Sequence, residues 1–372
     1  GGIVLAVAGA FFVKYSFDRG LLRPEVRIGI GVAAALAMVG AGLWLRKGYE
    51  RVAQALAGAG VATLFACLYA GSSVYYFWGP RVGFVLLAST AALAVVLSLR
   101  MGPFIALLGL LGGFLTPALV RSEHPSVPLL MGYLLLLQVG LVLVSRRRGW
   151  GVLGVLTLLA GGGWAAVATF AAERVGVDRH VAPLFLLATA GLFLAAGWDA
   201  ATKLWRGLSV AGAAVALLLL AAAVGRTDFG AAEWRYLLLL GAAAVVLARL
   251  RPLYEPMAWA AAGVTAAMLV GWAAAGDDPA MLAEASDGWT PSATRFLWTV
   301  LIAGLLFTLG GYACLWGAAA PRRWARFAAA AALAFTAIGY AALHALRLAL
   351  PWPGVWGLGA AGLIVLALPV FA

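Results

Sequence analysis

The chain has 372 residues, 65% of them hydrophobic and only 11% charged, with a mean hydropathy of +1.01. A water-soluble fold, in which roughly a quarter of residues are charged, cannot hide so much apolar surface. The formal net charge of +12 would suggest nucleic acid in a soluble protein, but Lys and Arg sit in short turns between apolar runs. Membrane topology accounts for them, and no nucleic-acid partner is expected.

The runs are long and continuous, without the alternation of a membrane barrel. A hydrocarbon core of about 30 Å takes roughly 20 apolar residues per helix, because backbone groups in lipid must bond within their own segment. The sequence therefore predicts an all-α integral membrane protein of about 14 transmembrane helices in one polytopic domain over residues 1–372. In chain order the spans are 1–16, 27–45, 52–73, 82–99, 102–120, 127–145, 151–171, 182–198, 206–224, 234–249, 256–275, 296–316, 325–346 and 354–371. Between the fourth and fifth, only Arg100, Gly102 and Pro103 mark the turn. The opening Gly1-Gly2 inside an apolar run, without a signal-peptide pattern, reads as a piece of a longer chain.

Helix pairs joined by tight basic turns recur, with starts near 27, 82, 127, 182, 234 and 296. The turns read RKGYER, LRMGP, RRRGWG, DAATKLWR, RLRPLYEP and GAAAPRRWAR. This is the pattern of repeated αα-hairpins, whether by internal duplication or because any two-helix insertion needs such a turn. Turns after even-numbered spans hold 14 Lys and Arg, those after odd-numbered spans 12, four of them in the first turn alone. Even turns are placed in the cytoplasm by the positive-inside rule. The opposite side holds 11 of the 14 acidic residues.

No Asp or Glu falls near the middle of a predicted span, which speaks against a proton or sodium antiporter. The deepest polar residues are Gln138, Thr157, Thr189, Thr265 and Thr308, each expected to bond a preceding carbonyl or a neighbouring helix. Cys67 and Cys314 lie in apolar stretches without CxxC spacing and read as packing residues. His124 and His180 fall in loops without metal-ligand spacing; no metal and no cofactor are expected.

Polar groups gather where odd-numbered spans end, at one membrane face. The first span ends with Lys14 and Asp18, spaced to pair; the third offers Ser72, Ser73, Tyr75 and Tyr76. The fifth carries Gly109 and Gly113, a pair that permits close helix contact, and then Thr116 and Pro117, where unwinding would expose carbonyls. The thirteenth carries Thr336, Tyr340 and His344 in one stripe, with Arg347 beyond. Each has an ordinary reading as interface aromatic, snorkelling cation or packing group. Together, Lys14, Asp18, Ser72, Tyr76, Thr116, Tyr340, His344 and Arg347 are the candidate lining of an extracytoplasmic-side polar pocket.

At FFVKYSFDRG, ERVAQALAGAGVATLFACLYA and LLGLLGGFLTP the sequence resembles the bacterial membrane proteins of the domain of unknown function 2339 family, recognisably over residues 1–150. The resemblance implies a multi-pass protein of the bacterial inner membrane with more spans than this chain, and brings no activity and no catalytic residues. It marks Lys14, Asp18, Gly112, Gly113, Thr116 and Pro117 as family features. Three functions stay open: a transporter or flippase-like protein for a lipid or amphiphilic envelope substrate, a scaffold for other envelope proteins, and a transferase on a lipid-linked substrate. The last would use Asp18 and Glu25, but no hydrolase, zinc-protease, P-loop or dinucleotide motif accompanies them. Membrane lipids are the expected partners.

Overall fold

The computed structural model describes residues 23–120, 126–175, 179–199, 202–275, 291–315 and 321–345, with backbone alone for 171–175, 291–293 and 342–345. These residues form twelve α-helices: α1 Pro24–Leu45, α2 Glu50–Tyr69, α3 Pro80–Met101, α4 Pro103–Leu119, α5 Val127–Arg148, α6 Gly151–Val175, α7 Val181–Trp198, α8 Lys203–Arg226, α9 Ala231–Leu250, α10 Glu255–Ala275, α11 Pro291–Leu315 and α12 Pro321–Ala345. They correspond one for one to the second through thirteenth predicted spans; the first and fourteenth lie outside the described residues. Eleven are long and apolar enough to cross a bilayer. The exception, α4, has 17 residues.

Helix ends follow local chemistry. Proline in the first turn of α1, α3, α4 and α5 sits where a backbone N–H would have no partner. Gly149 closes α5 in the left-handed region, at φ 71°, and donates its N–H to the Ser145 carbonyl. Gly102, at φ 110°, makes the abrupt turn between α3 and α4. The end of α2 widens into a π-turn over Ala70–Val74.

The helices pair as hairpins, α1–α2, α3–α4, α7–α8, α9–α10 and α11–α12 being the closest-packed couples. Small residues make that approach possible. Between α1 and α2, a Cβ added at Gly42 would meet the Ala53 carbonyl at 2.9 Å, and one at Gly60 the Ala35 carbonyl at 2.7 Å. Gly109 lies against Ala91 and Ala94 of α3, and Gly113 against Ala91 and Leu137, so the small-xxx-small pair of α4 works as expected. Cys67, half-buried, lies against Gly31, and Cys314 is buried; both are free thiols.

The chain divides into two compact units, Gly1–Gly161 and Gly162–Ala372. In the first, α3–α4 packs on α2, and α5 on both helices of that hairpin. In the second, α9 and α10 pack on α8, and α11 and α12 on α9 and α10. The outward faces are apolar. On α5, Leu129, Leu136 and Leu143 are exposed at seven-residue intervals, while Leu134, Gln138, Leu141 and Ser145 form the buried seam. A helix apolar all round suits lipid on one side and protein on the other.

Candidate functional site

Within the first unit, the predicted residues at the odd-turn face have distinct environments. Ser72 is buried in the π-turn; its hydroxyl donates to the Tyr69 carbonyl at 3.1 Å and lies 3.3 Å from Ser73 Oγ. Tyr76 is 80% exposed and holds a left-handed backbone, φ 54°, uncommon for a residue with a side chain. Between them and α3, the Trp78 ring covers Gly71, and its buried indole N–H has no hydrogen-bond partner among the described residues.

Thr116 is fully buried and donates to the Gly112 carbonyl at 2.7 Å. The expected unwinding at Pro117 does not occur; α4 runs on to Leu119. Proline there has no N–H, so the Gly113 carbonyl one turn earlier loses its intrahelical donor. Tyr133 of α5 supplies one, its hydroxyl donating to that oxygen at 2.9 Å, with its ring held edge-on by Phe84 at 5.0 Å. Sequence reading passed over Tyr133, although a tyrosine near the start of the next span is the available donor at that level.

Tyr340 lies exposed on α12 in the second unit. The His344 backbone belongs to α12, whereas its side chain, together with Lys14, Asp18 and Arg347, lies outside the described residues. At the odd-turn face of this unit, Asp228 and Phe229 are both left-handed, at φ 46° and 58°. Phe229 stacks on Trp272 at 5.3 Å, which holds the turn. Beside it Glu233, in the first turn of α9, is 2% exposed, and its Oε2 has no hydrogen-bond partner among the described residues. A carboxylate is favoured at a helix N-terminus, and its place beyond the predicted span edge concealed its burial. His180, expected only as a loop residue, sits with its Nδ1 3.1 Å from the Tyr236 hydroxyl.

The deepest polar residues only partly follow expectation. Thr157 donates to the Leu153 carbonyl at 2.7 Å. The amide of Gln138 and the hydroxyls of Thr189 and Thr265 are buried without hydrogen-bond partners among the described residues. Each lies at the midpoint of its helix, α5, α7 and α10. Gln138 fits over Gly161 of α6, where the missing side chain makes room.

At the hairpin turns the two units differ. In the second, acidic residues of one turn meet basic residues of the next: Asp199 with Arg251 at 3.2 Å, and Glu255 with Arg323 at 3.3 Å. Arg251 also lies over the Trp198 ring at 4.9 Å. In the first, the single hairpin-turn carboxylate, Glu50, accepts from Gln54 at 3.3 Å. A cavity of about 480 Å³ opens there, lined by Arg46, Lys47, Glu50, Leu99, Arg100 and Arg148. Arg148 donates to the Leu99 carbonyl, one of those left open where α3 ends at Met101.

Apolar helices of membrane-crossing length, paired by small-residue contacts and turned by basic loops, define a polytopic helical membrane protein. The chain belongs to the DUF2339 family, described as "Predicted membrane protein", which matches residues 1–372 and so extends beyond the 150 residues of recognisable motif. No curated protein matches the chain. Among solved structures it is similar to a "Circular tandem repeat protein with novel repeat topology and enhanced subunit contact surfaces", with a TM-score of 0.52 and 13% identity over 96% of this chain and 86% of that one. At that identity the likeness concerns the fold, a repeat-like array of helices.

Proposed function

We propose that this protein moves an amphiphilic, lipid-like substrate across or within the bacterial inner membrane. The observation that carries the reading is the set of polar side chains at mid-helix, Gln138, Thr189 and Thr265, that have no hydrogen-bond partner among the described residues. In helices that cross a bilayer those midpoints lie near its centre, where an unsatisfied polar group is costly. Packing alone favours removing such groups; reception of polar parts of a substrate, within each unit separately, explains why they stay. Fourteen spans, with the hairpin turns cytoplasmic, complete this reading. The residues proposed to bind the substrate's polar parts are Lys14, Asp18, Tyr76, Tyr340, His344 and Arg347; Ser72 and Thr116 bond to carbonyls of their own helices.

The test is movement of a fluorescent phospholipid between leaflets of vesicles carrying the full chain. Wild type accelerates it, and Gln138→Met, inserted at normal abundance, slows it at least roughly tenfold, in line with loss of one substrate hydrogen bond. Lys14→Ala, Asp18→Ala and His344→Ala lower the rate without loss of inserted protein. Equal rates with and without wild-type protein would remove the transport reading. The scaffold reading rests on the internally satisfied Ser72 and Thr116, and co-purification with another envelope protein at fixed stoichiometry would favour it.

A further inference from the structure

We infer that the hairpin-turn cavity of the first unit is a binding site for a phosphate-bearing anion, with an anionic phospholipid headgroup as its resident. Three turns contribute: Arg46 and Lys47 between α1 and α2, Arg100 at the end of α3, and Arg148 at the end of α5. Four cations face one carboxylate, and that carboxylate is engaged by Gln54. Like charges gathered in this way repel unless an anion lies among them. In the second unit two hairpin-turn cations, Arg251 and Arg323, each have a carboxylate partner, Asp199 and Glu255. Among the described residues, Arg46, Lys47 and Arg100 have no ion pair or side-chain hydrogen bond.

The site is built rather than merely charged. The end of α3 leaves the Leu99 carbonyl open, and Arg148 reaches it, which brings one guanidinium to the cavity wall. Gly102, at φ 110°, carries the chain past the Gln54 amide, which would stand 3.1 Å from a Cβ at that position, and so sets the wall formed by Arg100. Guanidinium groups recognise phosphate oxygens through paired N–H donors, and Lys47 adds a point charge. The volume, about 480 Å³, admits a glycerophosphate headgroup. The residues lie at helix ends beside exposed apolar stripes, so a headgroup in the cavity leaves its acyl chains against Leu36 and Leu43 of α1 or Val96 of α3. Basic pockets between helix ends at the cytoplasmic side are general binding places for anionic lipids.

The inference goes beyond the transport reading and does not need it, because occupancy is measured without movement. The full chain in detergent is titrated with phosphatidylglycerol, phosphatidylcholine and inorganic phosphate, and bound lipid or anion is read by native mass spectrometry and thermal shift. Phosphatidylglycerol should bind at least tenfold more tightly than phosphatidylcholine. The combined variant Arg46→Gln, Lys47→Gln, Arg100→Gln should lose roughly a hundredfold, about fivefold for each basic side chain. All three side chains are exposed, so the variant should fold. Arg81→Gln, an exposed cation at the other end of α3, should bind as wild type. Saturable binding of inorganic phosphate that is lost in the triple variant, without a preference for phosphatidylglycerol, would keep the site and assign it to a soluble anion. Equal lipid and phosphate binding by wild type and the triple variant would overturn it.

Discussion

Tyr133 and Arg148 lie near opposite ends of α5 and complete two open carbonyls, that of Gly113, opened by Pro117 inside α4, and that of Leu99, in the last turn of α3. Within a span, as at Gly113, such a carbonyl has no water to turn to, so a side-chain donor from a neighbouring helix replaces the missing N–H. Tyr133→Phe should therefore destabilise the folded chain by about 1 kcal/mol, the scale of interhelical hydrogen bonds in membranes. Pro117→Ala in the same chain should recover most of that loss by restoring the N–H, a double-mutant cycle readable by unfolding in mixed micelles. Gln138→Met should behave oppositely, raising stability by on the order of 1 kcal/mol because it removes, at similar volume, a buried amide with no partner among the described residues. A stability loss in Gln138→Met would mean that the amide has a partner in the membrane and is structural. Pro117 and Gln138 were visible as residues of interest in the sequence. The donor that answers Pro117 was not, since Tyr133 is 20 positions from Gly113 and only packing brings them together.

The hairpin is the element that the sequence specifies best. Apolar length, first-turn prolines and basic turns are local signals, and every helix from α1 to α12 has its predicted counterpart. How closely two helices approach depends on which small residues meet. Gly60→Leu should force α1 and α2 apart, because a side chain there collides with the Ala35 carbonyl and with Val39. A cost of about 1–3 kcal/mol is expected, measured as a lower midpoint of thermal unfolding. Gly29 has nothing within reach of an added Cβ, so Gly29→Ala should be neutral to slightly stabilising. The ion pairs between turns are weaker elements. Asp199→Asn should change stability by less than about 1 kcal/mol, since both partners of Arg251–Asp199 are well exposed.

For the whole molecule, the charge pattern makes an orientation prediction. Single cysteines introduced at Gly48 and Gly149 in a chain lacking Cys67 and Cys314 should react with a membrane-impermeant maleimide only from the cytoplasmic side; one at Gly79 should react only from outside. The reverse labelling pattern would place the basic cavity on the outer surface. Composition and period determined much: an all-helical membrane protein, its hairpins and their turns, because the bilayer admits few backbone solutions and each signal is local. The tertiary structure decided which polar groups are satisfied and which charges converge. Arg46, Lys47, Arg100 and Arg148 read as four separate turn cations in a sequence spanning 103 positions, and only helix packing gathers them at one cavity. Likewise, Gln138 packs against Gly161 and has no hydrogen-bond partner among the described residues, a long-range arrangement that no hydropathy pattern encodes.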